Sequence, residues 1–152
     1  MPTRKRSSVK QCPIPQEDLQ RLSGAKVIVS DDSLTFRRIQ KSVFKGVSEL
    51  VCVDTGSKAV IEARKKQFDF AILDVWSPHL DGPQAAREIR SMGQNMPIIF
   101  ISSDPHCAME RVVEENAPAC FLLKPITKDV FLRTLTSFLP ISNVPTQEYP
   151  LI

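Results

Sequence analysis

The chain has 152 residues, of which 42% are hydrophobic and 24% are charged, and its formal net charge is +3 at pH 7. These values are ordinary for a soluble globular protein and provide enough residues for one substantial core. No apolar stretch approaches the length of a membrane span, and the basic N-terminal segment is not followed by the apolar region of a secretory signal. The four cysteines lack CxxC spacing, so neither a zinc site nor a disulfide framework is indicated and a reducing compartment is expected.

The two ends of the chain differ in composition from its middle. Residues 1–24 contain three prolines and little apolar periodicity, which predicts a flexible basic leader with one short turn of helix near Glu17–Leu22. Residues 140–152 contain three more prolines and are predicted to form a flexible tail. The folded domain is therefore expected between residues 25 and 139.

Within this domain, apolar runs alternate with segments of helical periodicity. The predicted strands are Lys26–Ser30, Leu50–Val53, Phe70–Leu73, Pro97–Ile101 and Cys120–Leu123. They are apolar throughout rather than at every second residue, a pattern typical of parallel strands covered on both faces. The predicted helices run from Ser33 to Lys45, from Ser57 to Lys66, from Pro83 to Met92, from Pro105 to Glu115, and onward from Thr127. This alternation predicts an α/β fold with a doubly wound, five-stranded parallel sheet, (β/α)5.

Charged and polar residues follow four of the predicted strands. They are the carboxylates of Asp31, Asp32 and Asp74, the hydroxyl of Ser102 and the amine of Lys124. Because the carboxyl ends of parallel strands form the ligand-binding edge of such sheets, we expect these side chains on one rim. Crowded carboxylates repel each other unless a cation lies among them, and a lysine suits a dianionic group. The sequence therefore predicts a Mg²⁺-dependent phosphoryl site with Asp74 as the acceptor.

Four motifs, in order along the chain, resemble the receiver domain of the two-component response regulators. They are Val27–Ser33, Leu73–Gly82, Pro97–Ser103 and Phe121–Pro125. The resemblance covers about Ala25 to Leu139 and implies a flavodoxin-like receiver fold in a single-domain, chemotaxis-type architecture. In the second motif, Gly82 is expected to permit the geometry of a turn.

The resemblance also implies how the acidic residues are used. Asp74 would take the phosphoryl group and form an acyl phosphate. Mg²⁺ would be held by Asp31, Asp32, Asp74 and the backbone carbonyl of Trp76, a site with few carboxylates and several waters that suits this ion. Taken alone, the Asp pair could also be the favourable acids at the start of a helix.

The remaining site residues receive their roles from the same resemblance. Lys124 would place its ammonium on a phosphoryl oxygen, and Ser102 would donate its hydroxyl to the phosphoryl group. Phe121 would be the switch aromatic residue whose rotamer follows the movement of Ser102. Trp76 and Asp104 stand where the family tunes the loss of the phosphoryl group. Because an indole is bulky, we expect Trp76 to exclude the attacking water and to lengthen the phosphorylated lifetime.

The function implied is that of a phosphoacceptor in a two-component phosphorelay, with no enzymatic activity beyond its own aspartyl phosphorylation and dephosphorylation. A histidine kinase or a histidine phosphotransfer protein would supply the phosphoryl group. A downstream effector protein would read the surface formed by the fourth helix, the fifth strand and the fifth helix of the domain. No DNA binding is expected, because the residues after Pro140 are too few for such a domain.

The expected location is the cytoplasm, and the basic residues Arg4–Arg6 would suit nuclear import if the source is eukaryotic. The sequence does not decide whether the chain forms a homodimer or belongs to a hybrid kinase or a larger regulator.

Three other classes compete with this interpretation. A phosphohydrolase of the haloacid-dehalogenase type also uses a strand-end aspartate, Mg²⁺ and a lysine, but it needs a second acid at the position of Trp76. A nucleotide-binding module needs a glycine-rich loop where Ser30–Ser33 stands. A receiver-shaped scaffold that is never phosphorylated stays open as an alternative.

Overall fold

The computed structural model describes residues 13–33, 38, 41, 49–76 and 79–139. The strands are β1 (Lys26–Ser30), β2 (Glu49–Val53), β3 (Phe70–Asp74), β4 (Ile98–Ser102) and β5 (Ala119–Leu123). The helices whose ends are described are α1 (Gln16–Ser23), α2 (Gly56–Lys65), α3 (Gly82–Ser91), α4 (Glu110–Glu115) and α5 (Lys128–Ser137). The helix predicted from Ser33 to Lys45 lies almost wholly outside the described residues.

The strands form one parallel sheet of five in the order β2-β1-β3-β4-β5. Strands β3 and β4 are buried along their whole length, and β1 is buried except at Lys26. Such strands are covered on both faces, which explains why their sequences are apolar throughout rather than alternating. The strand order confirms the predicted doubly wound fold and places its topological switch point between β1 and β3.

Two layers of buried side chains cover the two faces of the sheet. On one face, Ile28, Leu73 and Phe100 pack with residues of α2 and α3. On the other face, Val29, Ile72 and Ile101 pack with residues of α5 and with Leu22 of α1. Hydrophobic cores on both faces of the sheet therefore support the rim formed by the carboxyl ends of β1 and β3.

The starts of α3 and α5 agree with the sequence, whereas the start of α2 does not. Pro83 lies in the first turn of α3, and Thr127 caps α5 with its hydroxyl oxygen. The predicted cap at Ser57 is wrong, because Thr55 accepts the hydrogen bond from the backbone N–H of Lys58 at 3.1 Å. Thr55 has the extended backbone of a capping residue, while Ser57 already lies inside the helix.

The predicted start of α4 at Pro105 is also wrong, because this helix begins at Glu110. The carboxylate of Asp104 accepts a hydrogen bond from the backbone N–H of His106 at 2.9 Å, and its carbonyl accepts one from Cys107 at 3.3 Å. These local bonds compete with helical hydrogen bonds and delay the helix.

Part of the predicted flexible leader packs on the domain. The short helix expected near Glu17–Leu22 is present as α1, and its Leu22 is only 4% exposed. Residues 1–12 of the leader and the whole predicted tail, residues 140–152, lie outside the described residues.

Across the described ranges, none of the helices has both the length and the apolar character that crossing a bilayer requires.

Candidate functional site

The carboxyl ends of neighbouring strands bring the predicted site residues together. Asp74 is the last residue of β3, Ser102 is the last residue of β4, and Asp31 and Lys124 directly follow β1 and β5. The backbone fixes two of these positions further. The N–H of Asp31 donates to the carbonyl of Val53 at 3.1 Å, and the N–H of Lys124 donates to the carbonyl of Ser102 at 2.7 Å. The side chains therefore start from a rigid edge of the sheet.

Three carboxylates form an acidic cluster on this rim. One oxygen from each of Asp31, Asp32 and Asp74 lies within 4.8 Å of the others. Asp31 and Asp74 are buried, whereas Asp32 is exposed, so the cluster opens to solvent on one side. Hard carboxylate oxygens are the protein ligands that Mg²⁺ prefers, and an open side leaves room for the waters that it keeps. The donor set therefore fits a divalent cation of this kind.

Lys124 is the positive partner of these acids. Its Nζ lies 2.7 Å from Oδ2 of Asp31 and 3.5 Å from Oδ2 of Asp74. The ammonium is largely buried, and the carboxylate of Asp31 is fully buried. A buried acid of this kind needs a cation and further hydrogen bonds, and the backbone N–H of Ser33 donates one to Oδ1 of Asp31 at 2.7 Å. Lys124 thus lies between Asp31, one of the predicted metal ligands, and Asp74, the predicted acceptor.

Burial raises the pKa of Asp74 above its ordinary value, and the neighbouring charge of Asp31 raises it further. The ammonium of Lys124 and a hydrogen bond from the backbone N–H of Trp76, at 3.1 Å, oppose this rise. The ionised form that a nucleophile requires is therefore costly at this position and depends on nearby positive charge.

Ser102 is fully buried next to this cluster. Its Oγ accepts a hydrogen bond from the backbone N–H of Asp104 at 3.0 Å. A hydroxyl that accepts one hydrogen bond still carries a proton that it can donate. The carboxylate of Asp104, the second residue expected to tune the loss of the phosphoryl group, accepts a hydrogen bond from His106 within the β4–α4 connection.

Phe121 lies on the same face of the sheet as Ser102. It pairs with Phe100 across β4 and β5, while Ser102 pairs with Leu123, two residues further along each strand. Phe121 is half-buried and borders a groove of about 400 Å³ between β5 and α4, together with Met109. The predicted switch residue thus has open space beside it.

Trp76 extends into solvent, with 62% of its surface exposed. It borders a cleft of about 290 Å³ between the β3–α3 and β4–α4 connections, whose lining includes Pro83, Asp104, His106 and Met109. The backbone N–H of Trp76 contacts Asp74, whereas its indole borders this neighbouring cleft.

Gly82 has a different role from the one expected. It begins α3 with ordinary helical geometry, so a turn does not explain it. A Cβ atom at this position would lie 2.5 Å from the carbonyl oxygen of Asp74. The glycine therefore allows α3 to pack directly on the backbone of the predicted acceptor, a contact that only the tertiary structure reveals.

Residues 27–136 match the family model described as the response regulator receiver domain. Among curated proteins, protein PilG of Pseudomonas aeruginosa is 28% identical over 127 residues, an alignment that covers 80% of this chain and 92% of that protein. The chain spans about a third or less of the length of other curated relatives, which include a transcriptional regulatory protein and a histidine kinase.

Solved structures agree with the fold. Chemotaxis protein CheY4 of Vibrio cholerae is similar with a TM-score of 0.70 at 26% identity, covering 76% of this chain and 99% of that one. The receiver domain of sensor histidine kinase PA1611 from Pseudomonas aeruginosa, whose structure has a magnesium ion coordinated in the active site cleft, has a TM-score of 0.66 at 23% identity. That match covers 75% of this chain and 96% of that domain.

Proposed function

The chain belongs to the response regulator receiver domain family, and we propose that it takes a phosphoryl group from a phosphohistidine onto Asp74 and signals by a change of conformation. The observation that carries this proposal is the convergence of a buried aspartate, a second buried acid and a lysine on one rim, with Lys124 Nζ 2.7 Å from Asp31 and 3.5 Å from Asp74. A carboxylate beside a fixed ammonium suits attack on a dianionic phosphoryl group.

The residues divide the chemistry of the transfer among themselves. An oxygen of Asp74 attacks the phosphorus, the P–N bond to the donor imidazole breaks, and its electron pair leaves with the imidazole nitrogen. Lys124 holds a phosphoryl oxygen, and Ser102 donates a hydrogen bond from its hydroxyl to another. Because Asp74 and Lys124 lie at fixed positions at the ends of strands β3 and β5, these two groups need little reorganisation for the transfer.

Asp31, Asp32, Asp74 and the backbone carbonyl of Trp76 would hold Mg²⁺. When bound, this ion supplies positive charge that offsets the crowded carboxylates and the phosphoryl oxygens. The magnesium ion in the cleft of the PA1611 receiver domain supports this part of the proposal.

The output of the signal would be a change in the α4–β5–α5 surface. Phosphorylation would replace the single negative charge of the Asp74 carboxylate with an acyl phosphate that carries about two negative charges. The added charge would draw Ser102 and the β4–α4 connection inward and let Phe121 turn. This surface carries two partly exposed apolar side chains, with Leu123 45% and Val130 39% exposed, which suit a protein partner. A downstream effector protein or a second copy of the chain would read it.

A histidine kinase or a histidine phosphotransfer protein would be the donor, and the expected place of action is the cytoplasm. The fold and the position of Asp74 on the third strand favour this function over a haloacid-dehalogenase-type phosphohydrolase. The scaffold that is never phosphorylated makes the opposite prediction in the experiment below.

Acetyl phosphate with Mg²⁺ is expected to add one phosphoryl group to the purified chain. Intact mass would follow the addition, and beryllofluoride with Mg²⁺ should change the fluorescence of Trp76, the single tryptophan. Asp74→Ala should abolish both responses, whereas Asp129→Ala, an exposed aspartate of α5, should retain them. An unlabelled wild-type chain, or labelling that persists in Asp74→Ala, would contradict the proposal and favour the scaffold.

Replacing Trp76 with asparagine is expected to shorten the lifetime of the phosphorylated chain several-fold. The indole borders the cleft between the β3–α3 and β4–α4 connections, and its removal would open this route to the attacking water. The decay of labelled protein by intact mass, after removal of acetyl phosphate, measures this lifetime. Trp76→Phe provides the matched control, since it keeps an aromatic ring. An unchanged or longer lifetime in the asparagine variant would rule out shielding by the indole.

A further inference from the structure

The connection between the acceptor strand and α3 contains an unfavourable backbone. His79 has a φ of 58° and Leu80 a φ of 130°, although neither is a glycine. Positive φ is uncommon for residues with a Cβ atom, although histidine adopts it more often than most, and it is rarer still for a bulky side chain such as leucine. Two consecutive residues of this kind persist only where the surrounding structure holds them in place.

The start of α2 contacts both of these residues. The hydroxyl of Ser57 donates a hydrogen bond to the carbonyl of His79. Next to it, the buried Gly56 packs so closely on the carbonyl of Leu80 that a Cβ atom would overlap with that oxygen. Thr55 caps the helix, so both contacts come from a fixed helix start. We call Gly56 and Ser57 the α2 clamp.

The clamped residues lead directly to the backbone of Asp74. After Leu80, Asp81 caps α3 through a capping box, and Gly82 donates its N–H to the carbonyl of Val75 at 3.2 Å. Gly82 also packs on the carbonyl of Asp74, as described above. Asp74 is therefore supported by the sheet on one side and, through Gly82, by the segment that follows His79–Leu80 on the other. The backbone after Asp74, which includes the carbonyl of Trp76, lies between these two supports.

We propose that Gly56 and Ser57 are positioning residues for the phosphoryl acceptor: the α2 clamp holds the His79–Leu80 backbone, which in turn fixes the backbone at Asp74. This inference rests on the proposed function of Asp74. It assigns a role in the site to a helix that contributes no side chain to the acidic cluster itself.

Two variants of nearly equal shape test the effect of the Ser57 hydroxyl separately from that of the rest of the side chain. Ser57→Thr keeps the hydroxyl, while Ser57→Val has nearly the same volume and branching without it, so effects on helix propensity cancel between them. Gly56→Ala would overlap with the Leu80 carbonyl and is the less useful variant, because it could fail to fold. Mg²⁺ titration followed by Trp76 fluorescence, acetyl phosphate labelling by intact mass and urea unfolding in EDTA would be measured for each protein.

We expect Ser57→Val to bind Mg²⁺ about fivefold more weakly than Ser57→Thr and to be labelled about fivefold more slowly, the factor that corresponds to one ordinary hydrogen bond. Ser57→Thr should match the wild type. Because the valine variant lacks this hydrogen bond in the absence of Mg²⁺ as well, its urea midpoint in EDTA should be slightly lower, while it stays folded without urea. Equal Mg²⁺ affinity and labelling in the pair, or an equal loss in both variants, would overturn the proposal. So would a loss in the valine variant that disappears when only its folded fraction is counted.

Failure of the proposed function would look different. A wild-type chain that acetyl phosphate does not label would refute the role of Asp74 as acceptor, yet the Mg²⁺ affinities of the threonine and valine variants would still decide whether the clamp positions the acidic cluster.

Discussion

Replacing Lys124 with methionine is expected to slow the labelling of Asp74 by acetyl phosphate about 100-fold or more. The ammonium lies 2.7 Å from Asp31 and 3.5 Å from Asp74 and is the positive group that connects them. Without it, the proposed Mg²⁺ alone would oppose the negative charge of the incoming phosphoryl oxygens and of the two carboxylates. The pKa of Asp74, already raised by burial, would lose the opposing effect of Lys124.

The same substitution should also lower the free energy of unfolding at pH 7 by about 3 kcal/mol, because it leaves the buried carboxylate of Asp31 without its cation. Labelling by intact mass and urea unfolding in EDTA measure the two effects. Lys128→Met, on the exposed start of α5, is the matched control and should change neither. Lys124→Arg separates charge from shape, since it keeps the charge on a planar group. Labelling of Lys124→Met at the wild-type rate would remove the lysine from the mechanism.

The site was predictable from the sequence because its charged and polar residues interrupt or directly follow the apolar runs of the strands. A charged residue that ends a run of buried strand residues, such as Asp74 after Phe70–Leu73, must lie at the rim of the sheet once the strands are parallel. The register of the strands then brings Asp31, Ser102 and Lys124 to the same rim without any further information. The roles of these residues in phosphoryl transfer remain predictions.

Features that depend on contacts between distant segments were not predictable. The proximity of Gly56 to Leu80 and of Gly82 to Asp74 involves backbone atoms of other elements, and a glycine in a sequence gives no sign of its neighbour. Leu22 occurs in a proline-containing segment, and only its burial against the core distinguishes it from a solvent-exposed leucine.

Local competition explains the errors at helix starts. Serine, threonine, aspartate and proline all favour such positions, so residue type alone does not distinguish the observed cap, Thr55, from the predicted one, Ser57. The backbone around Asp104 adopted its own turn in preference to a helix. At the starts of both α2 and α4, hydrogen bonds to specific backbone groups determine where the helix begins, and residue type alone does not predict these bonds.

Replacing Asp74 with asparagine is expected to increase the free energy of unfolding at pH 7 in EDTA. Burial, followed by the charge of Asp31, raises the pKa of Asp74 above its ordinary value of 3.8. In the unfolded chain this carboxyl ionises freely, whereas in the folded chain ionisation is opposed. Asparagine has the same shape and no charge to bury, and it leaves Lys124 paired with Asp31.

The sign of the pH dependence follows from the raised pKa. An acid that is harder to ionise in the folded state favours folding below its unfolded pKa, and this contribution is lost as the pH rises through the folded pKa. The difference between Asp74→Asn and the wild type should therefore be small near pH 4 and should grow toward pH 7.

Chemical unfolding from pH 4 to 8 would measure this dependence, with Asp129→Asn as an exposed control that should show little change. Mg²⁺ should narrow or reverse the difference, since a ligand stabilises the folded state that binds it and the asparagine variant lacks one of the proposed ligands. If Asp74→Asn were less stable than the wild type at pH 7, or if the difference did not vary with pH, Lys124 would more than compensate for the burial of Asp74. The acceptor would then be an ordinary ion-paired aspartate, and the crowding of acids could no longer explain why the site should bind a divalent cation.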